Sequence, residues 1–316
     1  MRRFAIIGLL TFTPAALAQS CGGLVGYWPF DDFTANDSSG LANHGTLYGA
    51  PAFGPGPSGM ALMLDGADDF VSVANDPSLN PSPAMSVSAW YRPVSFSGSG
   101  NDSIIDKGNY GHYAPYYQYH LGVTGNQYPS APGGFGFNIP YSGAGTPGGV
   151  WTPGNWYHLV GTTDGVVARF YLNGALINEN PAPASIPDFG TPVYFGRFNN
   201  LEYYLPGAID EIRIFDRALS GDEVTLLYDR PDGLPIILPA DAASCPGSAV
   251  ELRAVTLAPE SATYQWRKDG LTLDGEAGAT LVIASLDASF EGAYDCIITT
   301  SCTGAAISSP AQVRVC

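Results

Sequence analysis

Apolar and polar positions alternate most regularly between residues 155 and 174. Trp156, His158, Val160 and Thr162 interleave with Tyr157, Leu159 and Gly161, and after Asp164-Gly165 a second run, residues 166–172, ends at Asn173-Gly174. Period-two patterning around Asp-Gly predicts an antiparallel hairpin. Its aromatic and β-branched content predicts burial on at least one face of a large sheet. Shorter runs of the same kind predict an edge strand entering a turn over 24–31 and a hairpin from 60–64 and 70–73 around Asp65-Gly66. Further strands are predicted over 85–92, 104–108, 117–123, 135–139, 175–178, 193–196 and 207–215. One helix is predicted: Ser220 and Glu223 form a capping box for a segment running through Tyr228. Residues 109–116 and 140–153 are predicted to be irregular, and loops of that length in a compact domain commonly carry function.

Composition agrees with an all-β chain. Of 316 residues, 39 are Gly and 26 Pro, charged residues make up only 13 % and aromatics 12 %, which suits many short strands and turns. The length predicts two domains. Arg230-Pro231-Asp232-Gly233 reads as a linker, so the second domain covers 234–316. The net charge of −16 argues against nucleic acid and anionic membranes as partners, since both demand a basic surface. Arg2-Arg3, an apolar run over 4–12 and Ala16-Leu17-Ala18 read as a secretory signal peptide, residues 1–18. No later run is long enough for membrane insertion. The expected localisation is secreted, extracellular or at the cell surface.

Several segments carry a family resemblance. Asn36-Asp37-Ser38-Ser39-Gly40 through Asn43-His44-Gly45, the 60–73 segment, Met85 to Arg92, the 155–174 hairpin and Gly207-Ala208-Ile209-Asp210-Glu211-Ile212-Arg213 resemble, in order, the signature segments of LamG-like jelly rolls. That resemblance implies a concanavalin A-like, pentraxin-like antiparallel jelly-roll sandwich over 22–229. In the second domain, Trp266, Leu281-Val282-Ile283 and the Gly-x-Tyr-x-Cys of residues 292–296 resemble a smaller immunoglobulin-like sandwich, with Ala254 where strand B would offer a partner for Cys296. That likeness places Cys245 and Cys316 at one end of the sandwich and favours their pairing. Cys296 and Cys302 cannot join along a continuous strand. Connectivity stays open, and Cys21, with no partner in its own domain, is expected to be free, lipidated or intermolecular.

The LamG-like resemblance further implies a structural calcium at Asp37, Asn43 and Asp210, since carboxylate and carbonyl oxygens suit a hard cation. The alternative is that Asp37 caps a turn. Tyr110, Tyr113, Tyr116 and Tyr117 cluster in one loop, and Arg197, Asn199, Glu202, Tyr203 and Tyr204 in another. Tyrosine's rigid apolar face and polar tip suit a glycan or a protein alike. The alternative is that each ring merely closes its loop over the sheet. Catalysis is not expected: the Glu-x-Asp-x-x-Glu strand pattern of concanavalin-like glycosidases is missing, and Asp210 and Glu211, being adjacent, point to opposite faces. His44, His112, His120 and His158 have no metal-ligand spacing. The expected function is secreted, non-catalytic recognition or adhesion, with an extracellular glycan or protein as partner. A purely structural envelope or matrix component, or a glycan-cleaving enzyme with an unfamiliar carboxylate pair, are the alternatives.

Overall fold

The computed structural model describes residues 21–94, 102–111, 113–124, 133–198, 203–300 and 304–316. The expected leader lies outside the described residues. Two antiparallel sheets face one another in the first domain. The eight-stranded sheet runs Ala175–Pro181, Val167–Leu172, Tyr157–Asp164, Ala84–Pro93, Pro206–Phe215, Met60–Asp65, Ala52–Pro55, and Leu24–Trp28 also pairs with Pro206–Phe215. The seven-stranded sheet runs Ser142–Gly145, Gly134–Ile139, Tyr117–Thr124, Asp102–Gly108, Val193–Phe195, Phe70–Val73, Gly45–Tyr48. Alternate residues of both sheets, among them Trp28, Leu159, Phe170, Tyr119, Phe135 and Phe137, fill the space between them. The fold is the expected all-β jelly roll.

The predicted central hairpin forms, Leu159 facing Leu172 and Gly161 facing Phe170. Residues 60–64 and 70–73 do not form a hairpin: Met60–Asp65 belongs to the eight-stranded sheet and Phe70–Val73 to the seven-stranded one. Their connection is a corner between sheets, braced by Asp69, whose carboxylate accepts from Ala50 N (2.9 Å) and Asp65 N (3.1 Å). Part of the predicted 140–153 excursion is a strand, Ser142–Gly145, paired with Gly134–Ile139.

The helix α1, Gly221–Asp229, has the predicted capping box at Ser220 and Glu223. It fills the angle between the domains. Val224, Leu226 and Leu227 join Val160, Tyr171, Phe215 and Leu219 of the jelly roll and Ile236 and Val255 of the second domain in one buried cluster. Arg217 ties the same junction together, donating to Gly22 O (2.5 Å), Leu257 O (2.9 Å) and Glu223 (2.5 Å). The 230–233 segment is pinned as well, with Arg213 Nη2 donating to Pro231 O at 2.7 Å. The outer face of the eight-stranded sheet is thereby covered at Val160, Tyr171 and Phe215.

The second domain packs Ile236–Leu238, Val250–Val255 and Thr280–Ile283 against a sheet built around Gly292–Thr300 and Thr263–Lys268. Trp266, Ala254 and Cys296 meet in its core, and Tyr294 donates to Phe290 O at 2.8 Å, the tyrosine corner of an immunoglobulin-like sandwich.

Candidate functional site

The outer face of the seven-stranded sheet differs from that of its partner. Tyr119, Leu121, Phe135 and Phe137 point into the core, so alternation turns His120, Gly136 and Asn138 outward. Over them folds a two-stranded hairpin, Arg197–Phe198 with Tyr203–Tyr204. Phe198 meets Tyr117, His120 and Tyr203 at ring distances of 6.0, 6.4 and 6.3 Å. The Arg197 guanidinium lies 4.8 Å from Phe70, 5.3 Å from Tyr194 and 5.9 Å from Tyr204. Tyr48 stacks on Phe70 at 4.5 Å. Burial, then a hydrogen bond to Tyr110, push Tyr194 up to about 12.

The two tyrosine-bearing loops predicted from sequence therefore meet on one face. Tyr110, Tyr113, Tyr116 and Tyr203 are exposed, while Tyr117, Tyr204 and Arg197 are half-buried. Tyr113 lies across Gly111, where a Cβ would approach its ring to 2.0 Å. Asn199, Glu202 and His112 lie outside the described residues.

At one end of this face Tyr116, Tyr117, Asn138 and Tyr141 line a hollow of about 240 Å3. A second, of about 310 Å3, shares Asn138 and runs over Gly136, Gly143 and Gly145. Tyr141 is 82 % exposed and has a φ of 58°, a left-handed conformation that costs a non-glycine residue. Asn138 Nδ2 sits 3.2 Å from His120 Nδ1, and His120 Nε2 sits 3.0 Å from Ser103 Oγ. Burial pulls His120 down to about 3, so the ring is neutral. Neither Tyr141 nor Asn138 stood out in the sequence. Tyr141 is one aromatic in a Gly/Pro-rich stretch, and Asn138 looks like any polar strand position.

The predicted cation ligands fall in two places. The Asp37 carboxylate accepts from Tyr27 N, Ser39 N, Ser39 Oγ and Asn43 N at 2.8–2.9 Å, and the Asn43 amide donates to Val25 O and Ser78 Oγ. Both side chains lock the 36–44 turn. Asp210 stands elsewhere, at a bulge where Pro206–Phe215 changes neighbours: Ile209 pairs with Leu62, Ile212 with Trp28. Glu211 takes a φ of 55° there and turns to Arg213 (2.5 Å) and the Tyr27 hydroxyl (3.0 Å).

Asp210, fully buried, receives only amides among the described residues, Glu211 N at 2.8 Å and Ser58 N at 3.4 Å. Burial first, then the charges of Glu211 and Asp31, raise it to about 8. Asp31, bonded to Met60 N at 2.7 Å, approaches the same 56–59 loop. The two carboxylates thus reach the same loop at different glycines, Asp210 at Gly56 and Asp31 at Gly59.

The model of the concanavalin A-like lectin/glucanases superfamily, Laminin_G_3, matches residues 65–225. The chain belongs to this family. No curated protein matches it. Among solved structures, this laminin-G-like chain is similar to domain 4 of AbnA, an extracellular arabinanase from Geobacillus stearothermophilus solved with arabinotriose. The TM-score is 0.51 and the identity 19 %, over 66 % of this chain and 98 % of that one. It is also similar to the binding domain of Paraclostridial Mosquitocidal Protein 1 (TM-score 0.53, identity 12 %, 87 % and 75 % covered). A third is the binding domain of botulinum neurotoxin DC in complex with rat synaptotagmin II (0.51, 13 %, 88 % and 72 %). At these identities the likeness establishes the fold.

Other chemistry in the laminin-G-like chain is structural. His158 is buried, 3.0 Å from Ser88 Oγ, and exposed His44 accepts from Asp37 N. Cys21 is disulfide-bonded, which corrects the expectation of a free or lipidated residue: next to it Gly22 packs against the Leu257–Ala258 backbone of the second domain. Cys245 and Cys316 do not form the expected disulfide: they lie side by side as the likeness implied, but as thiols whose side chains are hydrogen-bonded to each other, and Cys296 is a buried thiol. Cys302 lies outside the described residues. No helix among the described residues is long and apolar enough to cross a membrane.

Proposed function

We propose that this protein is an exported, non-catalytic recognition or adhesion protein that binds an extracellular carbohydrate or protein on the outer face of the seven-stranded sheet. One observation carries the reading: two loops far apart in sequence bring Tyr110, Tyr116, Tyr117, Arg197, Tyr203 and Tyr204 together there, while the opposite outer face is covered at Val160, Tyr171 and Phe215 by α1 and the second domain. Exposed tyrosines around a half-buried arginine are the composition of binding surfaces. The sugar complex of the AbnA domain and the protein complex of the neurotoxin domain support both ligand classes. A structural calcium at Asp210 would fix the bulge beside Trp28, and the immunoglobulin-like domain acts as a rigid spacer.

The test is a glycan array combined with affinity capture on extracellular proteins, using wild type, Tyr116→Ala and Tyr203→Ala. Binding that falls at least tenfold in both variants, at unchanged melting temperature, is the expected result. Binding indifferent to both substitutions would remove this face from the account.

A further inference from the structure

We infer that the hollow between Tyr116 and Tyr141 is a subsite for one neutral sugar ring, whose hydroxyl donates to Asn138 Oδ1. This deepens the reading of the same face as a binding surface and rests on it. In the structure the Asn138 amide turns Nδ2 toward His120 Nδ1, at 3.2 Å. With Nδ2 turned to His120, Nδ1 of that ring can only accept. The ring proton of the neutral imidazole is then on Nε2 and is donated to Ser103 Oγ. Asn138 Oδ1 has no hydrogen-bond partner among the described residues.

The backbone is shaped around that oxygen. Gly143 is the cross-strand partner of Asn138, and a Cβ there would come within 2.5 Å of Oδ1, so a larger residue would displace the amide. Burial holds His120 near 3, so the arrangement does not turn over in the physiological range.

The ligand class follows from what surrounds the oxygen. None of the described side chains lining the hollow carries a charge, so the described lining matches neither an anionic nor a cationic group. Ser142 Oγ is spent on Pro181 O at 2.6 Å. What is left is an acceptor flanked by tyrosine faces, which suits a ring with apolar C–H faces and hydroxyl donors. At about 240 Å3 the space lies below the roughly 300–1,000 Å3 of drug-sized pockets. It takes one ring, with the remainder of a chain passing over Gly143 and Gly145 or into solvent. The strained φ of Tyr141 is consistent with a ring held out for contact rather than for packing.

The experiment is NMR titration of 15N-labelled full-length protein with methyl glycosides of neutral pentoses and hexoses at millimolar concentration, followed at the Asn138 side-chain amide and the Gly143 and Gly145 amides. At least one glycoside should shift these signals. Asn138→Ala should weaken it about tenfold, the size of one lost hydrogen bond, and Tyr141→Ala, at an exposed position that leaves the fold intact, should weaken it comparably. A deoxyfluoro analogue at the donating hydroxyl should lose as much, because fluorine cannot donate. An analogue that binds as well as the parent sugar would overturn the acceptor assignment. If no glycoside moves these signals while array binding still depends on Tyr203, the subsite is overturned and the binding face stands. If array and protein capture are silent as well, both fall.

Discussion

His158 and His120 are near copies of one device on the two outer faces of the jelly roll. Each is fully buried in its strand, each places Nε2 3.0 Å from a serine Oγ, and burial holds each near 3. Each also lies at 31° to an aromatic neighbour, Trp90 at 5.1 Å for His158 and Tyr117 at 4.8 Å for His120. They differ in what the other nitrogen meets. His158 Nδ1 has no hydrogen-bond partner among the described residues, and its stack is covered by Tyr228 of α1; His120 Nδ1 holds the half-exposed Asn138 amide. The same neutral imidazole ends in a closed junction on one sheet and supports a polar group facing solvent on the other. Burial of a titratable group therefore does not distinguish the two faces; what its second nitrogen meets does.

The largest effect separates the two faces by stability. Leu227, fully buried in the cluster shared by α1 and both domains, should cost about 2–5 kcal/mol when replaced by Ala, the range for a buried leucine that leaves a cavity. Tyr203→Ala, on the open face and 39 % exposed, should change stability by no more than about 0.5 kcal/mol. Urea denaturation of the two variants checks this. Equal costs would mean that the loops over the seven-stranded sheet are part of the core and not a surface.

Much of the closed region could be read from the sequence. The 157–172 hairpin, the capping box at Ser220 and the Gly-x-Tyr-x-Cys corner each depend on residues within a few positions of one another, so periodicity and spacing suffice. The open region and the bulge depend on long-range meetings. The 60–73 segment has hairpin spacing, but nothing local tells a hairpin from a corner that carries the chain to the other sheet. The motif containing Asp210 was legible. The position of Asp31 was not, because it meets the 56–59 loop only through the fold. Asn138 acquires its role from His120, eighteen residues earlier, and no sequence pattern joins the two.

A smaller, pH-dependent effect tests the bulge against the histidines. In the folded state Asp210 is raised to about 8, above the roughly 3.9 of an unfolded Asp. Its contribution is fully present below about 4 and is lost as pH rises toward 8. His120 and His158, lowered to about 3 from an unfolded value of about 6.5, act in the opposite sense. Their contribution is complete above about 6.5 and is lost as pH falls. Between pH 6.5 and 8, Asp210 therefore dominates. In chelator the unfolding free energy of the wild type should fall across that window, by at most about 1.4 kcal/mol per pH unit, and the melting temperature with it. Calcium, which needs the ionised carboxylate, should flatten or reverse the slope, and Asp210→Asn should remove both the slope and the calcium response. A flat profile in chelator, unchanged by calcium, would take the cation out of the account.

The smallest effect compares two left-handed residues, Asn173 in the closed region at φ 51° and Tyr141 in the open one at φ 58°. Asparagine tolerates this conformation, and here its Oδ1 accepts from His158 N at 2.9 Å, so Asn173→Gly should destabilise by about 0.5–1.5 kcal/mol, one hydrogen bond. Tyr141 has no such compensation, its ring being almost wholly in solvent. Glycine in its place relieves about 1–2 kcal/mol of strain against about 0.5–1 kcal/mol of added chain entropy. Tyr141→Gly should therefore stabilise by up to about 1.5 kcal/mol while weakening sugar binding. Thermal melts of the two variants give the sign directly. If both substitutions destabilise alike, Tyr141 is held by packing and its backbone strain is unrelated to a ligand. Opposite signs would mean that the open face gives up stability to keep an aromatic ring presented to solvent.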